Sequence, residues 1–332
     1  MLLVGDIGGT KTELAIYSSG SMPSSPLAHK KFHSADYPSL QAIVTQFLAD
    51  VRMQIDRATF GVAGPVIAGS VVATNLPWVM DEASLAADLQ LRSVHLMNDL
   101  EAIARAIPVL QETDVVKLNT GEPIPHTAIG VIAPGTGLGE SFLVWDGSRY
   151  EPHSSEGGHS DFAPTEDRQI RLLEYMLTRF DHVGVERVCS GIGIPNIYEF
   201  LRDVEHVHET PEAARNIAAA DDPTKAIVDA ALDPQNGSPL CRTALDMFVC
   251  ILASEAGNLA LKVLATGGIY LAGGVAVHTL SLLQQPTFMR AFTNKGRFSD
   301  LMKRIPIHVI TTNAAFIGAA TCALERSANN RD

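Results

Sequence analysis

Cysteine is scarce in this chain and never clustered. Cys189, Cys241, Cys250 and Cys322 form no CxxC pair, and each sits in an apolar stretch. That excludes a disulfide framework or a zinc knuckle as the organising device and predicts buried, reduced thiols. Basic residues are in deficit: 25 Lys plus Arg stand against 37 Asp plus Glu, a net charge of -12. General affinity for nucleic acid or an anionic membrane needs clustered Lys and Arg, so neither partner is expected. Phosphate-bearing ligands stay open, because backbone amides hold them locally. No apolar run approaches the ~20 residues of a membrane span. The N-terminus lacks a basic stretch followed by a long apolar one, so no signal peptide is expected and the expected compartment is the cytoplasm. Walker A spacing is missing too.

What is present is ordinary for a globular α/β chain: 332 residues, 46% hydrophobic and 19% charged. The length predicts about two domains. A strand from Leu2 runs into Gly5-Asp6-Ile7-Gly8-Gly9-Thr10-Lys11-Thr12, and a second strand, Glu13 to Tyr17, follows at once. This is a hairpin on a tight glycine turn. Ser18 to Pro26, rich in Ser, Gly and Pro, reads as a turn. From Pro38 the pattern is helical, with Leu40, Ile43, Val44, Phe47, Leu48 and Val51 on one face, and Pro38 suits its first turn. Strand-like runs at Ala58 to Ala63 and Ser70 to Thr74 precede a short helix, Glu82 to Leu89. The next strand ends in Asn98-Asp99, and a helix with Leu100, Ile103, Ala104 and Ile107 follows.

The opening is then partly repeated. Ala128 to Ala133 ends in Pro134-Gly135-Thr136-Gly137-Leu138-Gly139, and the strand Ser141 to Trp145 follows. Strand, glycine turn with a Thr, strand: the copy points to an internal duplication. Beyond Glu156-Gly157-Gly158-His159 the chain reads as helices at Glu166 to Phe180, Pro195 to Arg202, Pro211 to Ala220 and Thr224 to Leu232. A long helix from Pro239 to about Leu264 spans roughly 39 Å at 1.5 Å per residue. A strand, Ile269 to Ala272, meets Gly273-Gly274. Another strand, Ile307 to Thr311, precedes a closing helix, Ala314 to Glu325, rich in small residues.

Asn98-Asp99 is the pivotal pair. Ligands of open α/β sheets bind at the carboxyl ends of strands, where an Asp suits a general base. Asp is equally a favoured N-cap, and position alone fits both roles. Three glycine turns follow strands: Gly8-Gly9-Thr10, Gly135-Thr136-Gly137 and Gly273-Gly274. Glycine lets backbone N–H groups approach a phosphate, and Thr adds a hydroxyl donor. Asp6 would face such a phosphate and hold Mg²⁺ directly or through water, or else cap its own turn.

The segments Val4-Gly5-Asp6-Ile7-Gly8-Gly9-Thr10, Ala73-Thr74-Asn75-Leu76-Pro77-Trp78, Asn98-Asp99, Gly135-Thr136-Gly137-Leu138-Gly139, Glu156-Gly157-Gly158-His159-Ser160-Asp161-Phe162-Ala163-Pro164, Glu186-Arg187-Val188-Cys189-Ser190-Gly191 and Leu271-Ala272-Gly273-Gly274 occur in that order. Together they resemble the bacterial glucokinases without a zinc motif, of the hexokinase and actin-like ATP-binding superfamily. EGGH-x-DFAP is the most specific of them. The resemblance implies an α/β, actin-like (RNase H-like) duplicated fold with an active-site cleft between two domains. Residues 1–109 with 311–332 would form the smaller, and 110–310 the larger.

The resemblance also implies an activity: transfer of the γ-phosphoryl of ATP, with Mg²⁺, to the 6-hydroxyl of glucose. It makes Asp99 the general base. Asn98 would bond a neighbouring hydroxyl, while Glu156, His159 and Glu186 contact the far end of the ring. Gly135 and Thr136 would border both substrates. Asp6, Gly8, Gly9, Thr10, Lys11, Gly137, Gly273 and Gly274 would hold the nucleotide. Lys11 lies either by the phosphates or on the surface. No structural zinc is expected, and a homodimer is. Rival readings are a broad-specificity hexose or N-acetylhexosamine kinase, a non-catalytic sugar-binding regulator, and a filament-forming ATPase.

Overall fold

The computed structural model describes residues 1–18, 26–73, 76–235 and 237–329, with side chains through Arg326. Residues 19–25 of the expected turn, together with Thr74 and Asn75, lie outside them. In chain order the elements are β1 (Leu2–Ile7), β2 (Lys11–Tyr17), β3 (Ala28–His33), α1 (Leu40–Val51), β4 (Arg57–Val62), β5 (Ser70–Val72), β6 (Val79–Asp81), α2 (Glu82–Asp88), β7 (Ser93–Asn98), α3 (Asp99–Ala106) and β8 (Val115–Lys117). There follow β9 (Ile129–Pro134), β10 (Leu138–Trp145), β11 (Tyr150–Ser155), α4 (Asp167–Leu177), α5 (Gly193–Asp203), α6 (Pro211–Ala218), α7 (Pro223–Leu232) and α8 (Pro239–Val263). The rest are β12 (Gly268–Leu271), α9 (Gly274–His278), α10 (Leu280–Leu283), α11 (Pro286–Thr293), α12 (Ser299–Arg304), β13 (Ile307–Ile310) and α13 (Ala314–Asn329).

Two compact units result: Met1–Gln111, Tyr150–Ser154 and Thr312–Asp332 form the first, Glu112–Arg149 and Ser155–Thr311 the second. The first is built on a five-stranded sheet in the order β3-β2-β1-β4-β7. β1, β4 and β7 run parallel, with β2 and β3 added antiparallel. Alternate residues point to opposite faces. Leu3, Leu14 and Phe60 pack with Phe47 of α1 on one face, and Val4, Ala15 and Tyr17 with Phe316, Ala319 and Ala320 of α13 on the other. α13 also lies close on α3, because a Cβ at Gly318 would run into the Ala102 carbonyl.

In the second unit β10, β9, β12, β13 and β8 are neighbours in that order. Every residue of β9 is buried. The core gathers around α8, whose Phe248, Leu252 and Ala256 meet Phe288 and Phe292 of α11. Ser238 caps α8 by accepting the Cys241 N–H, and Leu264 closes it in the left-handed conformation. This helix corrects one reading from sequence: its 25 residues hold a window of mean hydropathy 1.5, enough for a membrane span, but 83% of that window is buried within the protein. It is a core helix.

Other differences have local causes. Pro38 precedes the Ser39 cap of α1 rather than sitting in its first turn; the Ser39 hydroxyl accepts the Ala42 N–H at 3.3 Å. β3 escaped notice because of its six residues only Phe32 is fully buried. The four helices α9 to α12 run four to eight residues each, too short for a helical period to register.

Candidate active site

In the first unit the carboxyl ends of β1, β4 and β7 align, with Asp6 beside Gly61 and Val62 beside Asn98. Gly61 stands where the strand end that carries Asp6 comes close to the start of α3. A Cβ on it would meet the Ala102 Cβ at 3.4 Å, the Asp99 Cα at 3.7 Å and the Gly5 carbonyl at 3.8 Å, so a side chain larger than a methyl would press on α3 beside Asp99. This position went unread in the sequence, although a lone glycine inside a strand signals a close approach.

Asn98 is the N-cap of α3 and Asp99 its first residue. The Asn98 Oδ1 accepts the Leu100 N–H at 2.9 Å, and its Nδ2 donates to the Gly64 carbonyl at 3.1 Å. The capping alternative for Asp99 is thus filled by its neighbour, though one Asp99 oxygen also accepts the Leu100 N–H. One Asn98 N–H is left for a ligand.

The Asp6 carboxyl makes no hydrogen bond or ion pair with the described residues, so it does not cap its turn; the turn closes through the Gly8 N–H on the Lys11 carbonyl, 2.9 Å. The Ser34 hydroxyl secures the Gly8 carbonyl at 2.8 Å. Burial pushes the Asp6 carboxyl up to about 7, Asp99 and Glu13 add to the shift, and Lys11 opposes it. Lys11 itself is ion-paired to Glu13, a buried carboxylate that His29 and Lys31 also hold. Burial would raise Glu13, but hydrogen bonds from Lys11, His29 and Lys31 prevail and hold it below the usual carboxylate range.

In the second unit, two of the three glycine turns come together. Gly135 donates to the Gly137 carbonyl at 2.9 Å. Gly273, at φ +86°, abuts Pro134: a Cβ there would lie 2.6 Å from the Pro134 carbonyl oxygen. At Gly135 nothing lies within 4 Å of a built Cβ, and its φ is not in the left-handed region. The fold therefore does not demand glycine there, either for space or for backbone angle. The end of the Glu186–Gly191 segment supports this turn: Gly191 and Ile192 donate to the Gly135 and Thr136 carbonyls at 2.8 and 3.1 Å.

Glu186 sits in the turn Val185–Arg187 and accepts the Leu138 N–H at 2.9 Å, filling the space beside Gly137. Its turn is tied to the 156–160 loop by the Val185 N–H on the Ser160 carbonyl, 2.9 Å. In that loop the Glu156 and His159 side chains are 79% and 66% exposed and stand 3.9 Å apart, with no buried partner to fix them. Among the described residues no group of three or more His, Cys, Asp or Glu forms a metal cluster.

Paired glycine turns on duplicated sheets, with a carboxylate pair at one sheet end, define the class: an actin-like phosphotransferase acting on a small acceptor. The glucokinase family model matches residues 3–326. The curated glucokinase of Nostoc punctiforme is 41% identical, over 97% of this chain and 98% of its own. The crystal structure of a glucokinase from an Antarctic psychrotroph superposes with a TM-score of 0.81 at 31% identity, covering 98% of both chains. A Streptomyces griseus ROK-family glucokinase, solved with glucose and AMPPNP, shares the fold at 20% identity and a TM-score of 0.65, over 97% of this chain and 98% of its own. The chain belongs to the glucokinase family.

Proposed function

We propose that this chain phosphorylates glucose at its 6-hydroxyl with ATP, and that Asp99 is the general base. The observation carrying the assignment is the position of Asp99 just past the carboxyl end of β7, in the same sheet whose β1 carries Asp6 at its end, in a chain of the glucokinase family. Asp99 takes the hydroxyl proton as the sugar oxygen bonds to the γ-phosphorus. The bond from that phosphorus to its bridging oxygen breaks, and ADP leaves with the electron pair. A loose transition state asks chiefly for alignment and charge stabilisation, so one aimed carboxylate suffices.

In the first unit Asn98 bonds a neighbouring hydroxyl; in the second, Glu156 and His159 on an exposed loop, and Glu186, are the residue types that bond sugar hydroxyls. The Gly8-Gly9-Thr10 turn of the first unit is a turn that offers backbone donors to phosphate, and so, within the second unit, are Gly135-Thr136-Gly137 and Gly273-Gly274. Lys11, paired to Glu13, orders its turn as well as lending charge.

The Asp6 carboxyl, raised chiefly by burial and further by Asp99 and Glu13, is a hard oxygen donor that suits a divalent cation. Mg²⁺ arriving with ATP would be held by Asp6, directly or through water, and would neutralise charge on the phosphates. Asp6→Asn should raise the Mg²⁺ needed for half-maximal rate by on the order of 10–100-fold. Initial rates against free Mg²⁺ at fixed ATP test this; an unchanged half-saturation point removes Asp6 from the metal site.

A coupled assay across hexoses and phosphoryl donors tests the activity itself. Glucose with ATP should give the highest kcat/KM. Higher values with mannose, fructose or N-acetylglucosamine would favour the broader hexose kinase, and sugar binding without turnover would favour a regulator. Sedimentation velocity tests the expected homodimer.

A further inference from the structure

Glu140 lies on β10, three residues beyond Gly137, and is 2% exposed. Its Oε1 makes no hydrogen bond. The rest of its carboxyl group presses on Gly157: a Cβ built there would come within 2.7 Å of the Glu140 Cδ. Gly157 has no N–H to offer, since it donates to the Ser155 hydroxyl at 3.0 Å. Next along the chain, Gly158 rests on Leu138, so residues 157–158 lie directly on the start of β10.

The groups around Glu140 do not compensate a charge. From α8 comes Glu255, 4% exposed, its oxygens held by Asn258 at 2.9 Å and Lys262 at 3.3 Å. Lys262 is therefore committed to Glu255. The Cys189 thiol, beyond the Glu186 turn, is fully buried nearby; burial above all, with both glutamates adding, pushes it well above its usual value. Glu156 and His159 belong to the loop itself and are exposed. Among the described residues no cation forms an ion pair with Glu140, and the Lys262 charge only partly offsets its burial. A lone carboxylate so placed is costly, whereas a neutral acid is tolerated.

We propose that Glu140 is a positioning residue for the sugar loop: as a neutral acid it lets Gly157 rest on β10 and holds Glu156 and His159 in place, and its ionisation displaces the loop. This rests on the reading that the loop contacts glucose. Burial, reinforced by Glu255 and opposed by Lys262, pushes the Glu140 carboxyl up to about 7, so the change falls in the neutral range. The folded value exceeds the ordinary 4.5, so wild-type stability declines as pH rises between the two, and Glu140→Gln should escape that decline.

Calorimetric titration of glucose into the full-length enzyme from pH 6 to 8.5 is the test. The wild-type Kd should rise several-fold across that range, about tenfold for each pKa unit separating the sugar-bound from the free enzyme. Glu140→Gln should stay flat at the wild-type acid value, with kcat unchanged at pH 6. A variant profile that follows the wild type, or one flat at the weaker alkaline value, overturns the proposal. If Glu140→Gln fails to fold, Glu140→Met is judged by the same flatness. His159→Ala separates the two layers of the argument. Weaker glucose binding at every pH supports the loop as a sugar contact, and unchanged binding overturns that reading whatever Glu140 does.

Discussion

Asp99→Asn should lower kcat by about 10²–10⁴-fold, the range for losing a positioned base. Glucose affinity should change far less, because an amide still bonds a hydroxyl. The argument for a clean loss is structural. Asn98 supplies the cap of α3 and stays in place, and the amide oxygen of the substituted side chain can still accept the Leu100 N–H that the Asp99 carboxylate accepts. The substitution is isosteric, and beside Gly61 the site has room for either group. It also removes a negative charge that raises Asp6, so the Asp6 carboxyl should fall in the variant. Steady-state kinetics with circular dichroism as a check on the fold measures the effect. Near-normal turnover from a folded Asp99→Asn enzyme would remove the base assignment.

The second large effect is expected at a residue with no ligand in reach. Gly318→Val should destabilise the first unit by about 1–3 kcal/mol and reduce kcat with it. A Cβ at 318 would collide with the Ala102 carbonyl and come within 3.1 Å of the Ala106 amide nitrogen, both on the backbone of α3. Backbone cannot rotate away as a side chain can, so the two helices must part. α3 begins at Asp99, and a shift of that helix carries the carboxylate with it. Gly318→Ala should show the same effects in smaller measure. Thermal melting and kcat measured together decide: wild-type values for both would mean that the helices part at no cost.

The sequence disclosed those parts of the molecule whose physics is local. The apolar face of α1, the Ser238 start of α8 and the strand that delivers Asn98-Asp99 all follow from spacing and capping within a dozen residues. β3 did not, because a strand at the sheet edge with one buried residue leaves no alternation to find. For the candidate site, the glycine turns and Asp99 were legible, since strand ends and turns have a chemical signature. Gly61 and Glu140 were not read. What matters about them is which groups from distant stretches, Asp99 in one case and Gly157 in the other, fold up against them. The competition for Lys11 is of the same kind: its partner Glu13 is two residues away in sequence, yet only the pairing of β2 with β3 brings Lys31 and His29 to the same carboxylate.

The first unit is assembled from three separated stretches, and α13 is the last element along the chain. Until that helix is available, Val4, Ala15 and Tyr17 have no cover on their face of the sheet. A growing polypeptide therefore presents a bare apolar surface until Phe316, Ala319 and Ala320 have been made, and a sheet begun early is completed by a helix made much later. Loss of the chain beyond Thr311 should accordingly be felt as failure of the N-terminal sheet, with aggregation of nascent or truncated chains as its visible form.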